Sequence, residues 1–160
     1  MFAVYTINQR TKAILCTPEL TTRTLIYEGS RKFQSIHCLK KILDVNCTSN
    51  GSSLKGRLQF AEHVLRTKIK LPVAVHPRLG IFMFPIRSLN AKKSGVIAYY
   101  QIKKYQPLSN NRTHIYFKDG SDLILDVSGA SFDNQYKKTG QLIAKLLEPL
   151  PGYQPIETFS

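Results

Sequence analysis

The dipeptide Asp119-Gly120 stands between two runs that alternate apolar and polar residues, Thr113–Phe117 (THIYF) and Asp122–Val127 (DLILDV). Asp-Gly in that setting predicts a tight hairpin, because the turn demands positive φ and glycine supplies it at little steric cost. This part of the chain is therefore committed to antiparallel sheet. Ser131 then offers an N-cap for a helix through about Leu147, with Gly140 as its soft spot.

Upstream, residues 2–7 and 12–16 read as short strands joined by a turn at Asn8–Thr11, and Thr22–Glu28 alternates as a third. Ser35–Cys47 changes period: Ile36, Leu39, Leu43 and Cys47 recur at helical spacing, with Ser35 as N-cap and Lys40 and Lys41 near the polar face. The polar run 48–53 breaks the pattern. Leu54–Leu65 reads as a second helix with one apolar stripe (Leu54, Leu58, Ala61, Leu65), weakened by Gly56. Pro72 and Pro77 argue for extended chain around Arg66–Lys70. Gly80–Pro85 is a buried-strand candidate, Arg87–Ser94 a basic loop, and Val96–Tyr105 one long strand. The expected fold is α+β: a single domain with a mostly antiparallel sheet, two central helices and a C-terminal helix. Residues 1–148 form that domain, and 149–160, with Pro149, Pro151 and Pro155, form a tail.

Charge narrows the function. The 160 residues carry 23 Lys and Arg against 10 Asp and Glu. Sixteen of those cations fall between residues 29 and 112, where Asp44 and Glu62 are the only acids, while the rest of the chain has 7 basic and 8 acidic residues. A regional field of one sign attracts a polyanion, be it DNA, RNA or an acidic membrane. The longest apolar run, Ile81–Ile86, is far short of the roughly 20 residues a spanning helix needs. No secretory signal is visible, so the expected location is cytoplasmic.

Within the basic stretch, Lys55 and Arg57 open the second helix, where backbone N–H groups could add to a phosphate contact. Arg66, Lys68 and Lys70 alternate and would share one face of an extended segment. Arg78 lies between them and the loop that holds Arg87, Lys92 and Lys93. Lys103 and Lys104 end a tyrosine-rich strand. Tyr99, Tyr100 and Tyr105 could stack on single-stranded bases, but core packing is the stronger expectation.

Nothing points to an enzyme, a cofactor or a metal. Phosphate-loop, GxSxG and HExxH motifs are absent. His37, His63, His76 and His114 are scattered, and Cys16, Cys38 and Cys47 lack zinc-type spacing, which leaves them as free thiols. Asp119, Asp122 and Asp126 read as solvated turn carboxylates.

Four segments carry a resemblance. They are Gly51-Ser52-Ser53-Leu54-Lys55-Gly56-Arg57; Ile81-Phe82-Met83-Phe84-Pro85 with Ser88 soon after; Phe117-Lys118-Asp119-Gly120; and Ser131-Phe132-Asp133-Asn134-Gln135-Tyr136-Lys137-Lys138-Thr139. In order and spacing, from about Gly51 to Thr139, the chain resembles the bacterial competence transcription factor family (ComK). The resemblance implies an activator of DNA-uptake genes that binds paired A·T-rich boxes of double-stranded promoter DNA, mainly through the minor groove. It implies a homodimer or tetramer, contact with RNA polymerase and a nucleoid-associated location. The absence of a clear helix-turn-helix agrees with minor-groove reading by Arg and Lys on loops. On it, Lys55, Arg57, Arg66, Lys68, Lys70, Arg78, Arg87, Lys92 and Lys93 are the candidate DNA contacts, with Arg57, Arg87, Lys92 and Lys93 candidates for insertion. Phe132, Asn134, Gln135 and Tyr136 are candidates for a structural or multimer contact. Two departures stand out. A Trp that often follows the strand start near Val96 is absent, and the chain stops about twenty residues after Thr139. Longer members carry a further tail associated with adaptor-directed proteolysis, so control by adaptor and protease is doubtful here. The alternative class is an RNA or single-stranded nucleic-acid binder.

Overall fold

The computed structural model describes residues 3–17, 23–148 and 152. Along them run strands β1 (Thr11–Cys16), β2 (Thr24–Glu28) and β3 (Arg31–Ser35), helices α1 (Leu39–Ser49) and α2 (Leu54–Leu65), strands β4 (Val73–His76), β5 (Ile81–Pro85), β6 (Gly95–Ala98), β7 (Ile102–Leu108), β8 (Arg112–Phe117) and β9 (Asp122–Leu125), and helix α3 (Gly129–Leu146). Every strand pairing is antiparallel. A six-stranded sheet has the order β3-β2-β1-β6-β5-β4, and a three-stranded sheet the order β7-β8-β9. This is the α+β single domain that the sequence predicts.

Strand β5 is buried along its whole length, so both faces of the larger sheet must be covered. Its period of two divides the work. Ile81 and Met83 join Ile14, Ile26, Val96 and the α1 residues Leu39, Ile42 and Leu43 in one cluster. Phe84, from the other face, joins Ile97, Ile115, Phe117, Leu125 and Phe132 in a second, under the small sheet and α3. At the β4 edge α2 and α3 meet through Ala61, Leu71 and Leu142. Strands β1 and β6 approach closely at Gly95, where a Cβ would lie 2.9 Å from the Ile14 carbonyl oxygen.

Several expectations are corrected. Residues 3–7 form no strand; instead Asn46 serves this backbone, accepting from Ile7 N (2.9 Å) and donating to Tyr5 O (2.8 Å). The first central helix begins after Cys38, not Ser35, whose hydroxyl accepts from His37 N at 3.1 Å. Val96–Tyr105 is two strands in two sheets, separated by a 3-10 turn at Tyr99–Gln101. The last helix is capped by Ser128, which accepts from Ser131 N, rather than by Ser131 itself. The hairpin is present, with positive φ at Gly120. Its loop has three residues: Gly120 N donates to Phe117 O (3.1 Å) and Phe117 N to Ser121 O (2.8 Å). Phe2, Thr22 and the tail 149–160 other than Gly152 lie outside the described residues.

The three hairpin aspartates are not merely solvated. Asp122 pairs with His114 at 2.6 Å and Asp126 with Arg87 at 4.0 Å. Asp119 pairs at 3.0 Å with Lys12, whose side chain is 5% exposed against 35% for the carboxylate. Lys12 also donates to Ser121 Oγ at 2.6 Å and lies over the Phe117 ring. Burial raises the Asp119 pKa, but hydrogen bonds from Ser121 and Lys12 outweigh it and hold the carboxyl below its ordinary value of 3.8. A depressed carboxylate stabilises the fold above its unfolded pKa, and that contribution disappears as pH falls through the folded value. Asp119→Asn therefore leaves Lys12 buried without its counter-charge. It should cost about 2 kcal/mol at neutral pH, less than for a fully buried pair because the carboxylate is partly solvated. Urea denaturation should show that loss at pH 7 shrinking toward pH 3. Equal stability of the two proteins at pH 7 would make the pair irrelevant to the fold.

Candidate nucleic-acid interface

Helix α2 starts where the sequence predicts. Ser53 caps it, accepting from Gly56 N at 2.9 Å, and Asp44 accepts from Leu54 N at 2.9 Å. Those two backbone donors are thus engaged within the protein, and the exposed Lys55 side chain is the group presented outward. The helix ends at Arg66, which adopts the left-handed conformation (φ 55°) and donates its N–H to Glu62 O at 2.8 Å. Lys70 is also left-handed, at φ 46°. The segment Arg66–Lys70 is therefore no extended strand, and alternation does not place its cations on one face.

Helix α3 holds this loop from behind. Gln135 Nε2 donates to Lys70 O (2.7 Å), Lys138 Nζ to Ile69 O (2.9 Å), and Lys70 Nζ to Ser131 Oγ (3.3 Å). Burial, helped by the neighbouring Lys70 charge, lowers the Lys138 pKa. Two ammonium groups are thus held near each other.

Tertiary packing gathers part of the predicted set into one groove of about 440 Å³. Lys55, Lys68 and Lys70 line it, together with Lys40 from the start of α1. Leu54, Leu58, Leu71 and Leu89 give it an apolar floor, and Glu62, 3.8 Å from Lys68, is its one acid. Ser88 and Asn90 of the Arg87–Ser94 loop form the opposite rim, with Asn90 accepting a hydrogen bond from Lys40. The exposed side chains of Lys92 and Lys93 belong to this same loop. Lys40 was legible on a polar helix face, but nothing in the chain alone joins it to Lys55 or Lys68.

The arginines behave differently. Arg57 is half-buried and donates to Asn50 O (3.2 Å) at the end of α1. Arg87 donates to Lys93 O (3.1 Å) and to Asp126 O, fastening its loop to the end of β9. It lines a separate concavity with Ile86 and Ile124. Arg78 is exposed on the turn Pro77–Leu79, beside a third depression with Ile143 and Leu146 of α3.

In α3, Phe132 packs edge-on against Phe84 and Tyr105, and Tyr136 lies 4.5 Å from Tyr99. Gln135 is buried and Asn134 exposed. Tyr99 and Tyr105 are thus packing residues in this aromatic cluster, whereas Tyr100 is exposed. Among the described residues no helix is long and apolar enough to cross a membrane, and no group of three His, Cys, Asp or Glu could hold a metal ion.

Left-handed Arg66 sits where helices ordinarily end on glycine. Arg66→Gly should stabilise the fold by about 0.5–1 kcal/mol, since a side chain in that conformation is strained. Chemical denaturation measures the gain; a loss would show that the exposed Arg66 side chain supports the fold.

Comparison with known proteins gives one consistent picture. The family model for ComK protein matches residues 2–149. The competence transcription factor of Bacillus subtilis (strain 168) is 28% identical over 149 residues, covering 88% of this chain and 74% of that protein. No solved structure gives a significant match.

Proposed function

The chain belongs to the ComK protein family, a family of transcription factors and not of enzymes, and from that premise we propose that it regulates competence genes by binding A·T-rich double-stranded promoter DNA. The observation that carries this reading is the groove lined by Lys40, Lys55, Lys68 and Lys70 with a single carboxylate. Four ammonium groups around a concavity favour a polyanion, and release of its condensed counterions drives binding. The long, flexible lysine stems suit phosphates rather than base edges, so sequence preference comes from groove shape: narrow A-tract minor grooves concentrate negative potential.

In this reading Arg66, Lys92 and Lys93 extend the phosphate track beyond the groove. Arg57 and Arg87, which donate to main-chain oxygens, act mainly by fixing the loops that carry the lysines. Arg78 contributes only to the surrounding field. Residues 1–148 form the DNA-binding domain, and a homodimer or tetramer would set two or more grooves against paired boxes. Activation then proceeds through RNA polymerase at the promoter, on the nucleoid. Duplex is favoured over single strands because Tyr99 and Tyr105 pack against the core, which leaves Tyr100 as the one exposed ring of the three stacking candidates.

Fluorescence anisotropy with A·T-rich and G·C-rich duplexes over a salt series tests the proposal. Tighter binding to the A·T-rich duplex and a steep linear fall of log K with log salt are expected. The double variant Lys92→Ala, Lys93→Ala should flatten that slope by about 0.9 per lost phosphate contact. Its stability should stay within about 0.5 kcal/mol of the parent, as for other surface changes. Equal affinity for the two duplexes at physiological salt overturns the sequence preference, and stronger binding to single strands overturns duplex recognition.

A further inference from the structure

The loop that walls the groove ends in an unexpected side chain. Ile69 is 66% exposed, and among the described large apolar residues only Leu147, at the end of α3, is more so. Lys68 and Lys70 stand directly on either side of it. An isolated exposed isoleucine is ordinary; one at the tip of a basic, firmly held loop is not. We propose that Ile69 is a wedge that enters a base step of bound duplex DNA from the minor groove. This rests on the duplex-binding reading above and assigns to it a residue and a mechanism.

Three observations converge. First, the backbone of Ile69 is held on both sides: its N–H donates to Thr67 Oγ1 (3.3 Å) and its carbonyl accepts from Lys138 Nζ (2.9 Å). Gln135 secures Lys70 O next to it, and both Arg66 and Lys70 hold left-handed backbone. Strained backbone persists where the surroundings over-determine it, and such places are often functional. A tip fixed in advance loses little freedom on binding. Second, charge complementarity names the occupant. Lys68 and Lys70, its neighbours in the chain, both line the groove beside it, so a duplex whose phosphates they hold brings its bases near the tip. Third, the side chain fits the task. Wedges that unstack and kink DNA from the minor groove are apolar, and isoleucine is stiff at χ1 because it is β-branched. Pyrimidine–purine steps, which unstack most readily, would be preferred. The loop would then read deformability, a property that the phosphate contacts alone do not sense.

The test uses the full chain and A·T-rich duplexes with 2-aminopurine replacing adenine at successive pyrimidine–purine steps, together with end-labelled duplexes whose energy transfer reports bending. The parent protein should brighten the 2-aminopurine at one or two steps and bend the duplex by at least about 20°. Ile69→Ala should lose both signals and bind roughly 3- to 10-fold more weakly, the order of an isoleucine's lost burial set against the unstacking it no longer causes. Its salt slope should not change, because no phosphate contact is removed. Ile69→Leu should retain brightening and bend. If Ile69→Ala bends and brightens like the parent, the wedge is overturned while duplex binding stands. If sedimentation shows that Ile69→Ala changes the oligomeric state, Ile69 is a contact between protomers and the wedge is again overturned. If the parent binds no duplex, the functional reading falls, and the wedge with it.

Discussion

One buried amide joins the three elements on which the groove depends. Gln135 is 1% exposed, and its Nε2 donates both to Lys70 O in the loop after α2 and to Pro85 O at the end of β5. Leaving either acceptor unpaired inside the protein would cost about 1–3 kcal/mol. The bond pair therefore fixes the loop, the helix and the central strand in one register. Phe132, Gln135, Tyr136 and Thr139 fall at i, i+3, i+4 and i+7, the spacing of a single inward helical stripe. Phe132 and Tyr136 pack on Phe84, and Thr139 Oγ1 returns to Gln135 O at 2.8 Å. Asn134 and Lys137, off the stripe, are exposed.

A region this basic repels itself, and the fold answers in a particular way. Among the cations turned inward, Arg57, Arg87 and Lys138 donate to main-chain oxygens of Asn50, Lys93 and Ile69. A carbonyl satisfies an N–H donor without cancelling its charge. Positive potential is thus retained at Arg57 and Lys138, whereas Arg87 also lies 4.0 Å from the Asp126 carboxylate. Lys12 is the contrast: deep under the hairpin, it is matched with a carboxylate. The difference follows from solvation, since a charge this buried needs a counter-charge, whereas a half-exposed one needs only acceptors.

How much of this could be read from the sequence depended on whether a signal was local. The apolar stripe from Leu54 identified α2 correctly, and Asp119-Gly120 identified the hairpin, because helical periodicity and turns are decided by neighbours a few residues apart. Strand β3 went unseen: RKFQS is an edge strand with only Phe33 and Ser35 sheltered, so its alternation is weak. The break between β6 and β7 was hidden because the aromatic pattern runs on through Tyr99 and Tyr100 without Gly or Pro to mark the turn. The left-handed residues Arg66 and Lys70 carry no signal at all, since that conformation is ordinarily announced by Gly or Asn. Nor can a sequence distinguish an arginine aimed at a carbonyl from one aimed at solvent, which is why Arg57 and Arg87 were grouped with Lys92 and Lys93.

The segment Ser131–Thr139 and the loop Arg66–Leu71 lie some sixty residues apart, yet each gives the other its meaning. Read alone, the helix segment offers polar residues that invite a role in base recognition, and the loop offers an unremarkable string of cations. Together they show a division of labour. The helix spends Gln135 and Lys138 on the loop's carbonyls, and this fixes the stretch from which Lys68, Lys70 and Leu71 line the groove. An apolar residue at 135 could preserve the helix stripe and the aromatic packing, yet it would release Lys70 O, and the groove wall would no longer have a fixed position relative to the central sheet. The polar character of the buried stripe is thus explained by the surface it positions rather than by the core it fills.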